Sequence, residues 1–308
     1  MVEFLQRTLD GLLQAGPYAL VGLGLTLGFG VLRRVNLAYG AGAMLAAYAG
    51  AWLHARMGAP AWLVLAVLVL GTMLVGLYVE WMCFAGARRA PTPAARGLAV
   101  GGADGREVAA LAASFALWMQ LEQLAVTLLP RHLNPFPSLA VTAEWRLGPF
   151  GLRGDQLSML MLAAVLVAAV AWFLQHTRAG LAWRAVADHR GAAQVVGLDV
   201  PRVQRLAFVA TCGLAGIAAC AVLALDGQVT PMFGMWMLVK GLVAAMLGGL
   251  GSVRGVLVGA VVLGVLEAQA QAAFGAIGRD ATAWALLLGV LVWRAARGGG
   301  GSHGLAHA

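Results

Sequence analysis

Charge is scarce in this chain of 308 residues: only 11% are Asp, Glu, Lys or Arg, against about a quarter in soluble domains. Acids are fewer than bases, 13 against 21, and lysine occurs once, at Lys240. A chain this poor in charge excludes water as its main solvent. The single lysine is followed by Gly241, so the Gly-x-x-x-x-Gly-Lys-Ser/Thr loop that cradles nucleotide phosphates is absent, and ATP hydrolysis by that route is excluded. H-E-x-x-H is also missing, which removes the familiar metalloprotease chemistry. The three cysteines, Cys83, Cys212 and Cys220, lie in or at the ends of apolar runs without C-x-x-C spacing. They read as packing residues rather than metal ligands, and no metal or other cofactor is expected.

What is present is hydrophobic sequence, 61% of the chain, with a mean hydropathy of +0.83. Apolar runs of spanning length fall near 12–32, 37–56, 61–84, 108–129, 156–175, 206–225, 236–252, 255–273 and 281–295. The expectation is therefore an all-α, polytopic transmembrane bundle of eight or nine spans. Glycines interrupt the runs LVGLGLTLGFG and AAMLGGLGSVRG, which fits either bent, short or re-entrant pieces at 22–30 and 248–255 or close helix packing through small residues. The start MVEFLQRTLD carries two acids before the first apolar run and lacks the basic n-region of a cleaved signal, so that run reads as a retained span.

The net charge of +8 resides in short loops, where it reports topology rather than nucleic-acid binding, and the aromatics are not interleaved with it as a single-strand groove requires. With nine spans and the chain start outside, fourteen arginines fall inside and six outside. That bias places the C-terminus in the cytoplasm. Anionic lipid headgroups are the expected electrostatic partner and nucleic acid is not one. The proline-rich stretch 130–155 reads as an irregular outer loop with Trp145 near the headgroups, and the stretch 298–308 as a disordered tail whose His303 and His307 are incidental. The membrane domain then covers 1–297.

Ionisable residues within apolar runs are costly and informative. Glu80 lies near Arg88 and Arg89 at the end of its run, Glu122 lies between Gln120 and Gln123, and Lys240 and Glu267 are placed where an interhelical ion pair is plausible. The polar stretch 176–205 contains Leu181, Ala182, Ala185, Val186, Ala192, Ala193 and Val196 at helical spacing, with Arg184 and Asp188 as an i,i+4 pair on the other side. Gly197 is placed to end this helix and Asp199, two residues before Pro201, to start the next. By itself the pattern fits either a helix lying on lipid or a lever that docks into a partner.

Three stretches carry a family resemblance. GLGLTLGFGVLRRVNLAYGAGAMLAAY (22–48) resembles the N-terminal signature of the permease subunits of ABC importers for branched-chain amino acids, the LivH-like branch, with Leu37 and Tyr39 in place of the usual Phe and His. TRAGLAWRAVADHRGAAQVVGLDV is similar to that family's cytoplasmic coupling loop, with Gly180, Arg184, Ala185, Ala193 and Gly197 on matching positions. LVKGLVAAMLGGLGSVRGVLVGAVVLGVLEA (238–268) is the third match.

The resemblance implies a permease in the bacterial inner membrane that forms half of a pore and has no catalytic site of its own. It implies as partners a second related permease, two cytoplasmic ATPase subunits that bind the ATP, and a periplasmic substrate-binding protein. Residues 176–205 become the coupling loop, with Gly180, Arg184, Ala185, Asp188, Ala193 and Gly197 as its contact candidates. Candidates for the translocation pathway are Thr26, Asn36, Tyr39, Gly40, Lys240, Gly248, Gly249, Gly251, Ser252 and Glu267. Hydrophobic amino acids are the expected cargo. Urea or amides are the rival within this branch, a stand-alone secondary transporter or channel the rival outside it, and a membrane-embedded enzyme a third reading that lacks a visible polar catalytic cluster.

Overall fold

The computed structural model describes residues 2–32, 36–84, 102–128, 134–137, 144–147, 150–230, 232–249 and 251–298. Arg33, Arg34, most of the arginine-rich stretch 85–107 and the tail 299–308 lie outside them, as does much of 130–155. The described chain is nearly all helix: α1 (Val2–Leu32), α2 (Tyr39–Met57), α3 (Ala61–Val79) with a π turn at Glu80–Phe84, and α4 (Gly102–Leu128). After these come α5 (Gly154–His176), α6 (Arg178–Asp188), α7 (Arg190–Val195), α8 (Val200–Asp226), α9 (Phe233–Gly248) and α10 (Val253–Gly298). Among the described residues, six helices are long and apolar enough to cross a membrane, namely α1, α3, α4, α5, α8 and α10, while α9 is apolar but shorter.

Helix α1 is the axis of the bundle. Helices α5, α8, α9 and α10 all pack against it, and 83% of its most apolar window is buried against 17% for α5. A helix that is apolar on every face is stable in this way only where protein surrounds it. The weakly covered helices α3, α4 and α5 turn their Leu, Val, Met and Trp side chains outward, as at Trp62, Leu74, Phe115 and Met161, where lipid is the matching solvent. The three cysteines are buried and free, in the packing role expected of them.

The glycine-rich stretch 22–30 takes the packing reading and not the broken one, because α1 is continuous through it. Each glycine weakens a helix by about 1 kcal/mol, but unpaired backbone groups cost several kcal/mol each in hydrocarbon, so the helix persists. The small residues serve contact instead. A Cβ on Gly22 would come within 2.9 Å of Val256 Cγ1, and one on Gly11 within 2.7 Å of the Gly264 carbonyl oxygen. Close helix approach through small residues is how membrane helices gain packing without a hydrophobic driving force.

The second glycine-rich stretch does break. Between α9 and α10 the backbone turns at Gly249 (φ 90°) and Gly251 (φ 97°), a region that side-chain-bearing residues rarely enter. Ser252 Oγ then accepts from Gly255 N at 3.1 Å to start α10. A further break sits at Gly275 (φ 73°, ψ −162°) within the 46 residues of α10, between the apolar runs 255–273 and 281–295. The stretch 130–155 also contains regular structure. Residues Glu144–Leu147 (β2) pair antiparallel with Phe150–Arg153 (β3), and Asn134–Pro135 (β1) pairs with Gln228–Val229 (β4). Turn-rich composition hid these short strands, whose ladders depend on chain reversal and on a partner some 90 residues away.

Candidate functional site

The polar stretch 176–205 forms two helices rather than the single one its periodicity suggests. Thr177 caps α6, accepting from Gly180 N at 3.0 Å, and the chain leaves helical geometry at His189 (φ −143°, ψ 97°) before α7. Gly197 (φ 90°) ends α7, and Asp199 caps α8 by accepting from Arg202 N at 3.2 Å. Val186 and Ala193 are buried against Val31, Val200 and Ala207. Arg184, Ala185, Asp188 and Gly197 are exposed, and Gly180 is buried against the backbone of Phe173 and Leu174. No ion pair joins Arg184 to Asp188 among the described contacts. The most exposed apolar side chains of the segment are Val195 and Val196, at 89% and 82%.

One contact was not legible in sequence. Arg190, at the break between α6 and α7, donates to the carbonyls of Val31, at 3.2 Å, and Leu32, and Gln204 of α8 donates to the Val31 carbonyl at 3.3 Å. These carbonyls end α1, where helical partners run out and the dipole favours a cation. Counted along the chain, Arg190 is only one basic loop residue among many; its partner lies 158 residues away.

Above this staple lies a cavity of about 350 Å³. Its walls come from α1 (Thr26, Gly30), α5 (Leu174, Gln175), α6 (Trp183, Arg184) and the break before α10 (Gly251, Ser252). Thr26 is fully buried, and its hydroxyl finds no hydrogen-bond partner among the described residues. Candidates from all three sequence motifs thus meet at one cavity. Gly249 belongs to the same break.

The other pathway candidates fall elsewhere. Asn36 accepts from Ala38 N at 3.0 Å, an Asx turn that leads into α2. Tyr39 is buried, with its hydroxyl against Gly24. Gly40 touches the Gly234 backbone, and Gly248 touches Gly255 across the break. Lys240 of α9 and Glu267 of α10 form an ion pair, 2% and 0% exposed. They belong to a larger cluster that sequence did not reveal. Tyr18 of α1 donates to Glu267 Oε2 at 2.6 Å, Arg279 donates to the Tyr18 hydroxyl at 3.0 Å, and Asp280 lies 3.7 Å from Lys240. Lys240 also stands 5.6 Å from the Trp236 ring centroid and 5.7 Å from that of Tyr18. Two positive and two negative charges, on α9 and both halves of α10, therefore meet beside Tyr18 of α1, and this balance is the condition for burying Lys240 and Glu267 in an apolar bundle.

Outside these groups, Glu80 is buried and pairs with Arg205 at 3.4 Å; Arg88 and Arg89 lie outside the described residues. Gln120 and Gln123 are exposed and Glu122 is partly so, so these residues form no buried seam.

The sequence pattern of the family described as branched-chain amino acid transport system / permease component matches residues 7–295. The high-affinity branched-chain amino acid transport system permease protein LivH of Salmonella typhimurium is 27% identical over 298 residues, covering 94% of this chain and 93% of that protein. LivH of Escherichia coli K12 is 26% identical over the same length, and BraD of Pseudomonas aeruginosa is 27% identical over 305 residues, 95% and 94% of the two chains. Among solved structures, PsaBC from Streptococcus pneumoniae in complex with Fab is 13% identical with a TM-score of 0.47, over 94% of this chain and 90% of that one, a likeness too weak to bear on the fold. Apolar helices of spanning length, a Gly-Gly-x-Gly-Ser break and a sequence match over nearly the whole chain lead to one conclusion: this multi-pass membrane protein belongs to the permease-component family of branched-chain amino acid ABC transporters.

Proposed function

We propose that this chain forms half of the pore of an ATP-driven importer of hydrophobic amino acids. It works in a bacterial inner membrane with a second permease, two cytoplasmic ATPase subunits and a substrate-binding protein on the opposite face. The chain crosses nine times, using α2, α9 and the two halves of α10 besides the other long helices, with its start outside and its end in the cytoplasm. The observation that carries the reading is the Arg190 staple. It ties the exposed segment α6–α7 to the end of α1, and α1 lines the cavity above it.

A push on α6–α7 from a closing ATPase dimer is delivered to the central helix rather than lost in a loose loop. Val195 and Val196 give the ATPase an apolar knob, and the exposed Arg184 and Asp188 of α6 offer polar contacts. The two ends of the segment are fixed by the Thr177 and Asp199 caps, so it moves as a unit. The test is affinity purification from native membranes in mild detergent. An ATPase is expected to copurify and to be lost when Val195 and Val196 are replaced by Glu. Recovery of this chain alone, still moving solute in liposomes without ATP, would establish a channel or secondary transporter instead. If the associated binding protein retains urea or amides, the cargo assignment changes while the pore assignment stands.

A further inference from the structure

At the end of the bundle opposite α6 and α7 lies a second pocket, of about 250 Å³. The two cavities share α1 and α5. Thr26 and Leu174 face the first, while Gln14 and Asp155 face the second. The twelve helical steps from Gln14 to Thr26 correspond to about 18 Å along the axis. Leu20, Val21, Leu23 and Leu25, all buried, fill the interval.

The second pocket differs in kind from the first because its walls bear both signs of charge. Asp226, at the end of α8, and Asp155, at the start of α5, line it together with Arg279 of α10, and no ion pair joins either acid to that arginine among the described contacts. Arg279 is engaged on one side, by Tyr18 and by Glu267 at 3.5 Å. A guanidinium has five N–H donors, and its side chain is still 31% exposed. Gln14 adds a buried Oε1 with no hydrogen-bond partner among the described residues. Unpaired polar atoms in a built pocket mark places where a ligand or water completes the bonding. Leu13, Leu225 and the Trp236 ring supply the apolar part of the wall.

We infer that this pocket is a transit site for a zwitterionic amino acid, received on its way from the binding protein to the inner cavity. Arg279 holds the α-carboxylate, Asp226 and the Gln14 carbonyl hold the α-ammonium, and Leu13, Leu225 and Trp236 accept an aliphatic side chain. Charges of both signs on one pocket lining, with no ion pair joining them among the described contacts, match a solute carrying both, whereas a neutral amide or urea matches neither. The volume lies just below the ~300 Å³ at which pockets for drug-sized ligands begin, the size class of a single amino acid. The inference rests on the importer reading above and gives that pore its first station.

Asp226 is the residue to change, because it is exposed and takes no part in the buried cluster around Glu267. The complete transporter, with its ATPase and binding protein, is reconstituted in proteoliposomes, and uptake of radiolabelled leucine is measured together with ATP hydrolysis. Asp226→Asn keeps shape and removes charge, so uptake should fall by about tenfold, the weight of one charge-assisted contact. ATP hydrolysis without binding protein should stay unchanged, and Asp226→Glu should recover part of the uptake. Equal uptake by wild type and Asp226→Asn overturns the transit site while leaving the importer reading intact. Equal loss in Asp226→Asn and Asp226→Glu assigns Asp226 a merely structural role and also overturns it. A wild-type complex that takes up no amino acid refutes the importer reading itself, and the transit site with it.

Discussion

Replacing Glu267 by Gln removes the central charge of the buried cluster and should be the most damaging isosteric change in the membrane domain. Glu267 is 0% exposed and pairs with Lys240, itself 2% exposed, so neither can turn to solvent when the other is lost. Breaking a buried pair from one side costs about 3–5 kcal/mol, because the remaining charge is left uncompensated. Two features set the expected loss at the lower end. The substituted amide would still accept from Tyr18, the bond now 2.6 Å long, and Lys240 would keep Asp280 at 3.7 Å. Asp280 is 63% exposed, so that second pair contributes at most about 1 kcal/mol. The aromatic contacts of Lys240 exist in both proteins and cancel.

The net expectation is a loss of about 3 kcal/mol in Glu267→Gln and a similar loss in Lys240→Gln. The double replacement should cost about 2 kcal/mol less than their sum, since contacting charges are not additive. The assay is unfolding of the purified chain in mixed micelles with rising dodecyl sulfate, followed by tryptophan fluorescence. A Glu267→Gln protein within about 0.5 kcal/mol of wild type, as for an ordinary surface change, would refute the argument, and so would strict additivity in the double replacement.

Other changes probe separate links. Gly248→Ala places a Cβ on the Gly255 backbone and should cost about 1–3 kcal/mol by overpacking, whereas Gly30→Ala, whose Cβ meets nothing nearer than 3.9 Å, should be tolerated; the two melting curves decide. Thr177→Ala removes the cap of α6 and should cost about 1 kcal/mol, read as faster amide exchange confined to 178–188. Val195→Glu should abolish ATPase capture yet leave unfolding within about 0.5 kcal/mol of wild type; a large stability loss would mean that this side chain is packed rather than presented.

The sequence by itself determined the solvent, the helical class and the positions of the helices, because apolar runs of spanning length leave the backbone no other way to satisfy its polar groups. It also located the exposed segment 176–205, with its stop at Gly197 and the cap at Asp199, since capping and periodicity are local. For Lys240 and Glu267 the sequence offered a pairing only as one arrangement open to them, and the folded chain made it. Only the tertiary structure decided that the glycines of 22–30 serve packing instead of a break, and that α6 and α7 are separate. It alone assigned Arg190 to the end of α1, and Tyr18, Arg279 and Asp280 to the Lys240 cluster. These contacts join residues up to 261 positions apart. No local pattern specifies them, because which helix faces which is set by the complementary shapes and charges of whole surfaces.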